Sequence, residues 1–119
     1  MSAALEGRWR PLRAELDGEA APMEVLERTE VEFAAGRYAV RFGHFTADEG
    51  TYELEPAAGD LGRVTLRGIQ GPNAGRTIPC VFAFDGADLR VCYGLDGERP
   101  AAFATQAGSG FYLVTYRRR

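Results

Sequence analysis

The sequence contains no lysine, one histidine and two cysteines, and it has no long apolar run. Its positive charge comes from 14 arginines against 17 aspartates and glutamates, so the net charge is −3 at pH 7. A chain with this balance has no electrostatic drive towards nucleic acid or an anionic membrane surface. A membrane-spanning helix needs roughly 20 consecutive apolar residues, which the sequence does not offer. We therefore predict neither a nucleic-acid partner nor a membrane partner.

The scarcity of histidine and cysteine also bears on metals and cofactors. Cys80 and Cys92 are too few and too far apart for a zinc site, and His44 completes no recognised ligand spacing with them. We predict no metal and no cofactor. Residues 1–6 lack the basic start and the apolar run of a signal peptide, so the sequence predicts a cytoplasmic protein.

Short strand-like segments separated by turn residues fill the chain. A length of 119 residues suits one domain, which we expect to span the whole sequence. The predicted strands lie near residues 8–16, 29–35, 37–43, 49–55, 61–69, 76–84, 88–94, 101–106 and 110–117. Asp-Gly pairs and single glycines between them tolerate the positive φ that hairpin turns require. The only predicted helix, at residues 22–28 after the first strand, would act as a lid or plug.

Apolar and charged residues alternate along these strands. Tyr38 and Val40, for example, fall on one face, whereas Arg37 and Arg41 fall on the other. An antiparallel sheet with one dry face must bury that face, and a long sheet with almost no helix to cover it does so most simply by closing on itself. The predicted fold is therefore all-β, a small antiparallel up-and-down β-barrel of about eight or nine strands.

A Gly-x-Trp motif, Gly7-Arg8-Trp9, opens the first strand, and arginines close the last one. This arrangement resembles that of lipocalins and other calycins, in which the Trp plugs one end of the barrel and an Arg packs across it. Arginine over an indole combines cation–π attraction with hydrogen bonds to nearby carbonyls. The resemblance implies that Gly7, Trp9 and Arg117 close the barrel, with Arg118 as the alternative to Arg117.

The chain is also similar, over nearly its whole length, to a family of uncharacterised bacterial lipocalin-like domains known best from planctomycetes. The matching segments are Gly7-Arg8-Trp9, Ala14-Glu15-Leu16-Asp17-Gly18, Gly50-Thr51-Tyr52-Glu53-Leu54-Glu55-Pro56, Gly71-Pro72-Asn73-Ala74-Gly75-Arg76-Thr77, Phe84-Asp85-Gly86-Ala87-Asp88-Leu89-Arg90-Val91-Cys92-Tyr93, Arg99-Pro100 and Phe103. The resemblance implies a lipocalin-like barrel of bacterial origin in a family without an assigned activity. It therefore assigns no catalytic residue to this chain.

The apolar side chains of the first predicted strand do not all fall on one face of the sheet. Strict alternation from Trp9 places its side chain opposite Leu12, Ala14 and Leu16. A bulge near Pro11 would remove this conflict, because an inserted residue reverses the facing of the residues that follow.

The two cysteines lie on the two arms of one predicted hairpin. A four-residue loop over residues 85–88 pairs Phe84 with Leu89 and leaves Cys80 and Cys92 on opposite faces of the sheet, so that a disulfide is excluded. A three-residue loop would oppose the cysteines but also set an aromatic side chain against an arginine. We favour the first register and predict free thiols without a nucleophilic role.

The remaining polar motifs indicate no catalytic residue. His44 lies at a hairpin tip close to Asp48 and Glu49, where we expect it to be solvated. Asp48 and Glu49 are adjacent, so their side chains would point apart on a strand, which argues against a two-carboxylate mechanism. Residues 71–77 superficially resemble a phosphate loop but lack its Gly-Lys pair and its following helix, so we predict a turn.

Aromatic side chains predicted to point inward are the strongest functional signal. The interior of a barrel of about eight strands is either filled by side chains or wide enough for one small ligand. Inward tyrosine hydroxyls need hydrogen-bond partners, which a ligand or water supplies, and we therefore favour a cavity. The predicted ligand-binding residues are Phe33, Tyr38, Phe42, Tyr52, Phe82 and Tyr93.

Three functions are compatible with such a barrel. The favoured one is a non-catalytic binding module for a small apolar or aromatic ligand. The second is a structural domain with a filled barrel that engages a protein partner through its outer face or an edge. The third is a cofactor-free isomerase or cyclase, in which shape and desolvation do most of the chemistry. The sequence identifies neither the ligand nor a protein partner.

Overall fold

The structure is a computed structural model and describes residues 4–119. Met1, Ser2 and Ala3, which belong to the segment from which the lack of a signal peptide is predicted, lie outside the described residues. The elements are β1 (Gly7–Leu16), β2 (Glu19–Ala20), α1 (Met23–Glu27), β3 (Thr29–Ala34), β4 (Arg37–Phe42), β5 (Phe45–Ala58), β6 (Leu61–Gln70), β7 (Thr77–Asp85), β8 (Asp88–Gly94) and β9 (Phe111–Arg118). No helix among residues 4–119 is both long and apolar enough to cross a membrane.

The strands pair in chain order, and every pair is antiparallel. β1 pairs with β3 on one side and with β9 on the other, so eight of the nine described strands close into a barrel. The ninth, β2, pairs only with the end of β1, after a tight turn in which Asp17 and Gly18 both have positive φ. The predicted all-β up-and-down barrel with one short helix after its first strand is confirmed.

A bulge changes the facing of β1 part-way along its length. The register of β1 with β9 shifts between Pro11 and Arg13, so Leu12 is an extra residue on β1. As a result Trp9 and Ala14 are both buried in the core. The bulge that the sequence predicts near Pro11 is present, and it removes the conflict of facing.

Helix α1 lies where β1 and β3 separate. These two strands pair only along the first three residues of β1. Beyond that point α1 packs against β1 and buries Leu26 in the core, while Met23 and Val25 remain exposed. Pro22 precedes the helix with a φ of −64°, which suits a first turn. The helix therefore acts as a plug between two strands.

The strand predicted at residues 101–106 is wrong. β8 and β9 pair directly with each other along their length, so a segment between them finds no free strand edge to join. Residues 95–110 instead form the β8–β9 loop, which packs on the outer face of the barrel. Within this loop Phe103 lies under the guanidinium of Arg90, whose central carbon is 4.8 Å from the ring centroid. This segment therefore covers the outer face of the sheet instead of pairing with one of its strands.

Arg99 anchors the β8–β9 loop to the barrel wall. Its guanidinium donates to the carbonyls of Cys80 at 2.7 Å and Val64 at 3.3 Å. It also donates to the hydroxyl of Thr65 at 2.9 Å and to the carboxylate of Glu55 at 3.2 Å. One side chain therefore holds the loop against three neighbouring strands, β5, β6 and β7.

The hairpin between β7 and β8 has the predicted register. Phe84 pairs with Leu89, and both cysteines are free and fully buried. Cys80 faces the barrel interior, whereas Cys92 faces outward beneath the β8–β9 loop. The prediction of free thiols on opposite faces is confirmed.

Candidate ligand cavity

Trp9 closes one end of the barrel. Its indole N–H donates to the carbonyl of Leu5 at 2.9 Å, and its ring is almost completely buried. The central guanidinium carbon of Arg118 lies 4.1 Å from the ring centroid. The guanidinium nitrogens donate to the carbonyls of Glu6 at 2.6 Å and Ala4 at 3.2 Å. Cation–π attraction and charged hydrogen bonds therefore hold the first residues of the described chain across this end.

The assignment of Arg117 to this closure is corrected. Trp9 pairs with Arg118 in the β1–β9 ladder, so Arg118 shares its face of the sheet. Arg117 points to the outer side, where its Nε donates to the carboxylate of Asp88 at 3.1 Å. Gly7 lies at the same end with a φ of +133°, and a Cβ there would collide with the guanidinium of Arg118. A glycine is therefore required for the close approach of this arginine.

Aromatic rings fill the half of the barrel next to Trp9. The ring of Trp9 lies 6.4 Å from that of Phe84, which in turn meets the edge of Phe82 at 6.2 Å. Phe33 and Tyr52 pack edge to face with their centroids 5.1 Å apart. Edge-to-face contacts of this kind are favourable between neighbouring aromatic rings, and they hold these rings together in this half of the barrel.

The other half of the barrel contains a cavity of about 330 Å³. The lining side chains are Thr29, Val31, Phe33, Tyr38, Val40, Ala47, Asp48, Leu66, Pro72, Asn73, Ile78, Tyr93, Leu95, Tyr112 and Tyr116. Most of them come from the strand ends and loops away from Trp9, including residues 71–76, which form the β6–β7 loop. Val31 and Phe33 instead lie on the part of β3 that pairs with the start of β1. The volume lies within the range of about 300–1,000 Å³ that is usual for small-molecule sites.

Three of the six predicted ligand-binding residues line this cavity: Phe33, Tyr38 and Tyr93. The other three do not, which corrects their assignment. Tyr52 and Phe82 belong to the filled half, and Phe42 lies at the rim, between the ring of Phe45 at 6.4 Å and the guanidinium of Arg28 at 5.1 Å. Alternation along a strand assigns a face, but it does not assign a height along the barrel axis.

The carboxylate of Asp48 is the main polar group of the lining, and the residue as a whole is only 8% exposed. It accepts hydrogen bonds from the side-chain amide of Asn73 at 2.9 Å, from the backbone N–H of Asn73 at 3.4 Å and from the hydroxyl of Tyr38 at 3.3 Å. All three donors are neutral. Within residues 4–119 no arginine or histidine forms an ion pair with Asp48.

Two glycines bring other groups close to Asp48. Gly50 is the next inward position on β5, and a Cβ there would collide with the backbone carbonyl of Arg67 and would lie 2.7 Å from Cε2 of Tyr38. Gly71 begins the β6–β7 loop with a φ of +98°, and a Cβ there would lie 2.6 Å from the carboxylate of Asp48. The absence of these two side chains therefore allows the tyrosine ring and the loop to reach the carboxylate.

Asp48 was not among the predicted site residues, since its only expected roles were as an acid near His44 and as a neighbour of Glu49 that argues against a two-carboxylate mechanism. The alternation of side chains along β5 could have identified it, because Asp48, Gly50 and Tyr52 occupy every second position and share the inward face. The predicted strand begins at residue 49, whereas β5 begins at Phe45. The earlier start places Asp48 within the sheet and opposite a residue of β4.

Tyrosine hydroxyls provide the second polar group of the lining. The hydroxyls of Tyr93 and Tyr116 lie 2.6 Å apart, and both side chains are more than nine-tenths buried. One O–H group donates in this bond, so the other is without an acceptor among the described residues. Burial raises the pKa of Tyr93 and of Tyr116. The pKa of Tyr38 is also raised, mainly by burial and next by the charge of Asp48. These hydroxyls therefore remain protonated donors at neutral pH.

His44 and the predicted turn at residues 71–77 are the remaining sequence candidates. His44 is exposed at the β4–β5 hairpin and is not part of the lining. Among residues 4–119 no group of three or more His, Cys, Asp or Glu side chains is placed to hold a metal ion. Residues 71–77 form a turn and the first residue of β7, and Asn73 is the member of this segment that bonds to Asp48.

Comparison of the chain with protein-family models, with curated proteins and with solved structures found no match. The geometry of the cavity is therefore the basis on which a function is proposed.

Proposed function

We propose that this protein is a lipocalin-like binding protein that holds one small, largely apolar molecule inside its barrel. The observation that carries the proposal is the cavity of about 330 Å³ at the end opposite Trp9. An antiparallel barrel of about eight strands is wide enough to hold one small ligand, as in lipocalins. The Gly-x-Trp motif and the stacking of Arg118 on Trp9 support the lipocalin-like classification.

The walls of the cavity suit a compact ligand. Val31, Leu66 and Ile78 present apolar surface, whose removal from water stabilises a complex by about 25 cal/mol per Å². A long acyl chain would need the half of the barrel that the rings of Phe82 and Tyr52 occupy. The proposed ligand therefore consists of one ring or a short branched chain with a polar end.

Binding is proposed in preference to catalysis because of the chemistry of the lining. Its described side chains offer hydrogen-bonding groups but no cysteine or serine nucleophile beside a base. The free thiols of Cys80 and Cys92 support a proposed location in a reducing compartment such as the cytoplasm.

Titration with 2-phenylethanol, followed by the amide chemical shifts of the protein, tests this function. We expect saturable binding with a submillimolar Kd. The Val40→Phe variant adds a ring to the cavity wall, and we expect it to weaken binding at least about tenfold, since it occupies the space of the ligand.

Leu54→Phe is the matched control for this variant. Leu54 is a half-buried residue packed against the same core as Val40, but it lies outside the cavity lining. We expect Leu54→Phe to bind 2-phenylethanol as wild type does. Equal weakening by both substitutions would contradict the proposal, and so would a wild-type protein that binds no compact apolar or aromatic probe saturably.

A further inference from the structure

We infer that the ligand is a small organic cation, an ammonium group on a compact apolar or aromatic body, bound with its charge at Asp48. This inference rests on the proposed function and specifies its ligand class. It comes from Asp48, a residue that is 8% exposed in the wall of the cavity and whose carboxylate accepts hydrogen bonds from neutral donors only.

A buried carboxylate normally has a cationic partner, because removing a charge from water is costly unless an opposite charge or a metal compensates. Within residues 4–119 no such partner lies at Asp48. Only the bond from the side-chain amide of Asn73 is short, at 2.9 Å, whereas the other two measure 3.3 and 3.4 Å. A carboxylate offers about four acceptor positions, so Asp48 retains capacity for a donor from a ligand.

The rest of the lining also favours a cation. Its aromatic members are Phe33, Tyr38, Tyr93, Tyr112 and Tyr116. The faces of such rings attract cations, and aromatic-lined sites are a common means of recognising ammonium groups. The described lining contains no arginine and no histidine. An anionic ligand would therefore meet the charge of Asp48 without compensation.

Three probes of similar shape and different charge test the inference on the wild-type protein. Phenethylamine is protonated at neutral pH, 2-phenylethanol is neutral, and phenylacetate is an anion. We expect isothermal titration at pH 7 to give a Kd for phenethylamine at least about tenfold below that for 2-phenylethanol, since a hydrogen bond to a charged partner is stronger than a neutral one. We expect phenylacetate to bind most weakly.

Two variants locate the source of this preference. Asp48→Asn keeps an acceptor oxygen for Tyr38 and removes the charge, so we expect phenethylamine to bind within about threefold of 2-phenylethanol. Glu49→Gln removes the same charge one residue along β5, outside the lining, and we expect it to keep the preference for the amine.

The outcomes separate the inference from the proposed function. If 2-phenylethanol binds the wild-type protein as tightly as phenethylamine does, the inference is overturned and the proposed function stands. If none of the three probes binds saturably, both are overturned. If Glu49→Gln loses the preference as fully as Asp48→Asn, the attraction is a general surface effect and the inference is wrong. The order of affinities on the wild-type protein decides the question even if Asp48→Asn fails to fold.

Discussion

Arg117 and Arg118 are neighbours in β9, but their side chains lie on opposite sides of the sheet and have different energetic roles. Arg118 stacks on a buried indole and bonds to two backbone carbonyls of the segment that covers the barrel end. Arg117 forms an ion pair with Asp88 on the outer surface. An exposed ion pair contributes little to stability, whereas a stacked and hydrogen-bonded guanidinium contributes more.

We expect Arg118→Ala to lower the free energy of unfolding by about 1–2 kcal/mol, since it removes the cation–π contact and two charged hydrogen bonds. Arg117→Ala should cost less than about 1 kcal/mol. Urea unfolding followed by the fluorescence of Trp9, the single tryptophan of the chain, measures both. A larger loss from Arg117→Ala than from Arg118→Ala would show that the closure is assigned to the wrong arginine.

At the scale of elements, the β8–β9 loop matters because it contains residues 101–106, for which the sequence predicted a strand. It has no ladder of its own to hold it, and the four hydrogen bonds of Arg99 tie it to β5, β6 and β7. Beneath the loop lies the thiol of Cys92, which is fully buried although it faces away from the barrel interior. Access to this thiol therefore reports on the position of the loop.

We expect Arg99→Ala to lower the free energy of unfolding by about 2–3 kcal/mol and to speed the reaction of Cys92 with a thiol reagent at least about tenfold. Peptide mass spectrometry distinguishes Cys92 from Cys80, and Cys80 should stay unlabelled because it lies inside the barrel. Arg90→Ala, which loses only the contact with Phe103, is the control and should have a smaller effect. Equal labelling of both cysteines would mean that the barrel itself had opened.

At the scale of the whole molecule, the barrel is divided into a filled half and a hollow half. All five tyrosines of the chain have a pKa above the ordinary value, and burial is the largest cause in each case. In the unfolded chain these hydroxyls ionise near pH 10. Above that pH the folded state keeps protons that the unfolded state has lost, so folding becomes less favourable.

Stability should therefore be independent of the tyrosines below about pH 10 and should fall as the pH rises from there. Each buried tyrosine contributes a slope of up to about 1.4 kcal/mol per pH unit until its own folded pKa is reached. Urea unfolding between pH 8 and pH 11, with tyrosinate absorbance recorded in parallel, measures the effect. Tyr116→Phe removes one of these ionising groups, so it should reduce the slope of stability against pH by the contribution of one tyrosine. Ionisation of the tyrosines near pH 10 in a protein that stays folded would contradict this prediction.

The parts of this fold that could be predicted from the sequence are those determined by neighbours along the chain. Alternation of side chains indicated which face of each strand is dry, and the Asp-Gly pairs indicated the hairpins. The pairing of Phe84 with Leu89 and the bulge near Pro11 follow from the same rules, because a register error would expose a whole apolar face. These local preferences all favour one closed barrel, which is why the architecture was predictable.

Contacts between distant segments determined the rest, and only the tertiary structure shows them. The direct pairing of β8 with β9 left residues 101–106 without a partner strand, so their apolar content covers the barrel wall. The height of Phe82 and Tyr52 along the barrel axis separates them from the cavity, a coordinate that a period of two does not contain. Asp48 became part of the cavity wall because a loop about 25 residues later, carrying Asn73, folds back over it. Sequence patterns report local geometry, whereas a cavity exists only where the closed barrel leaves space.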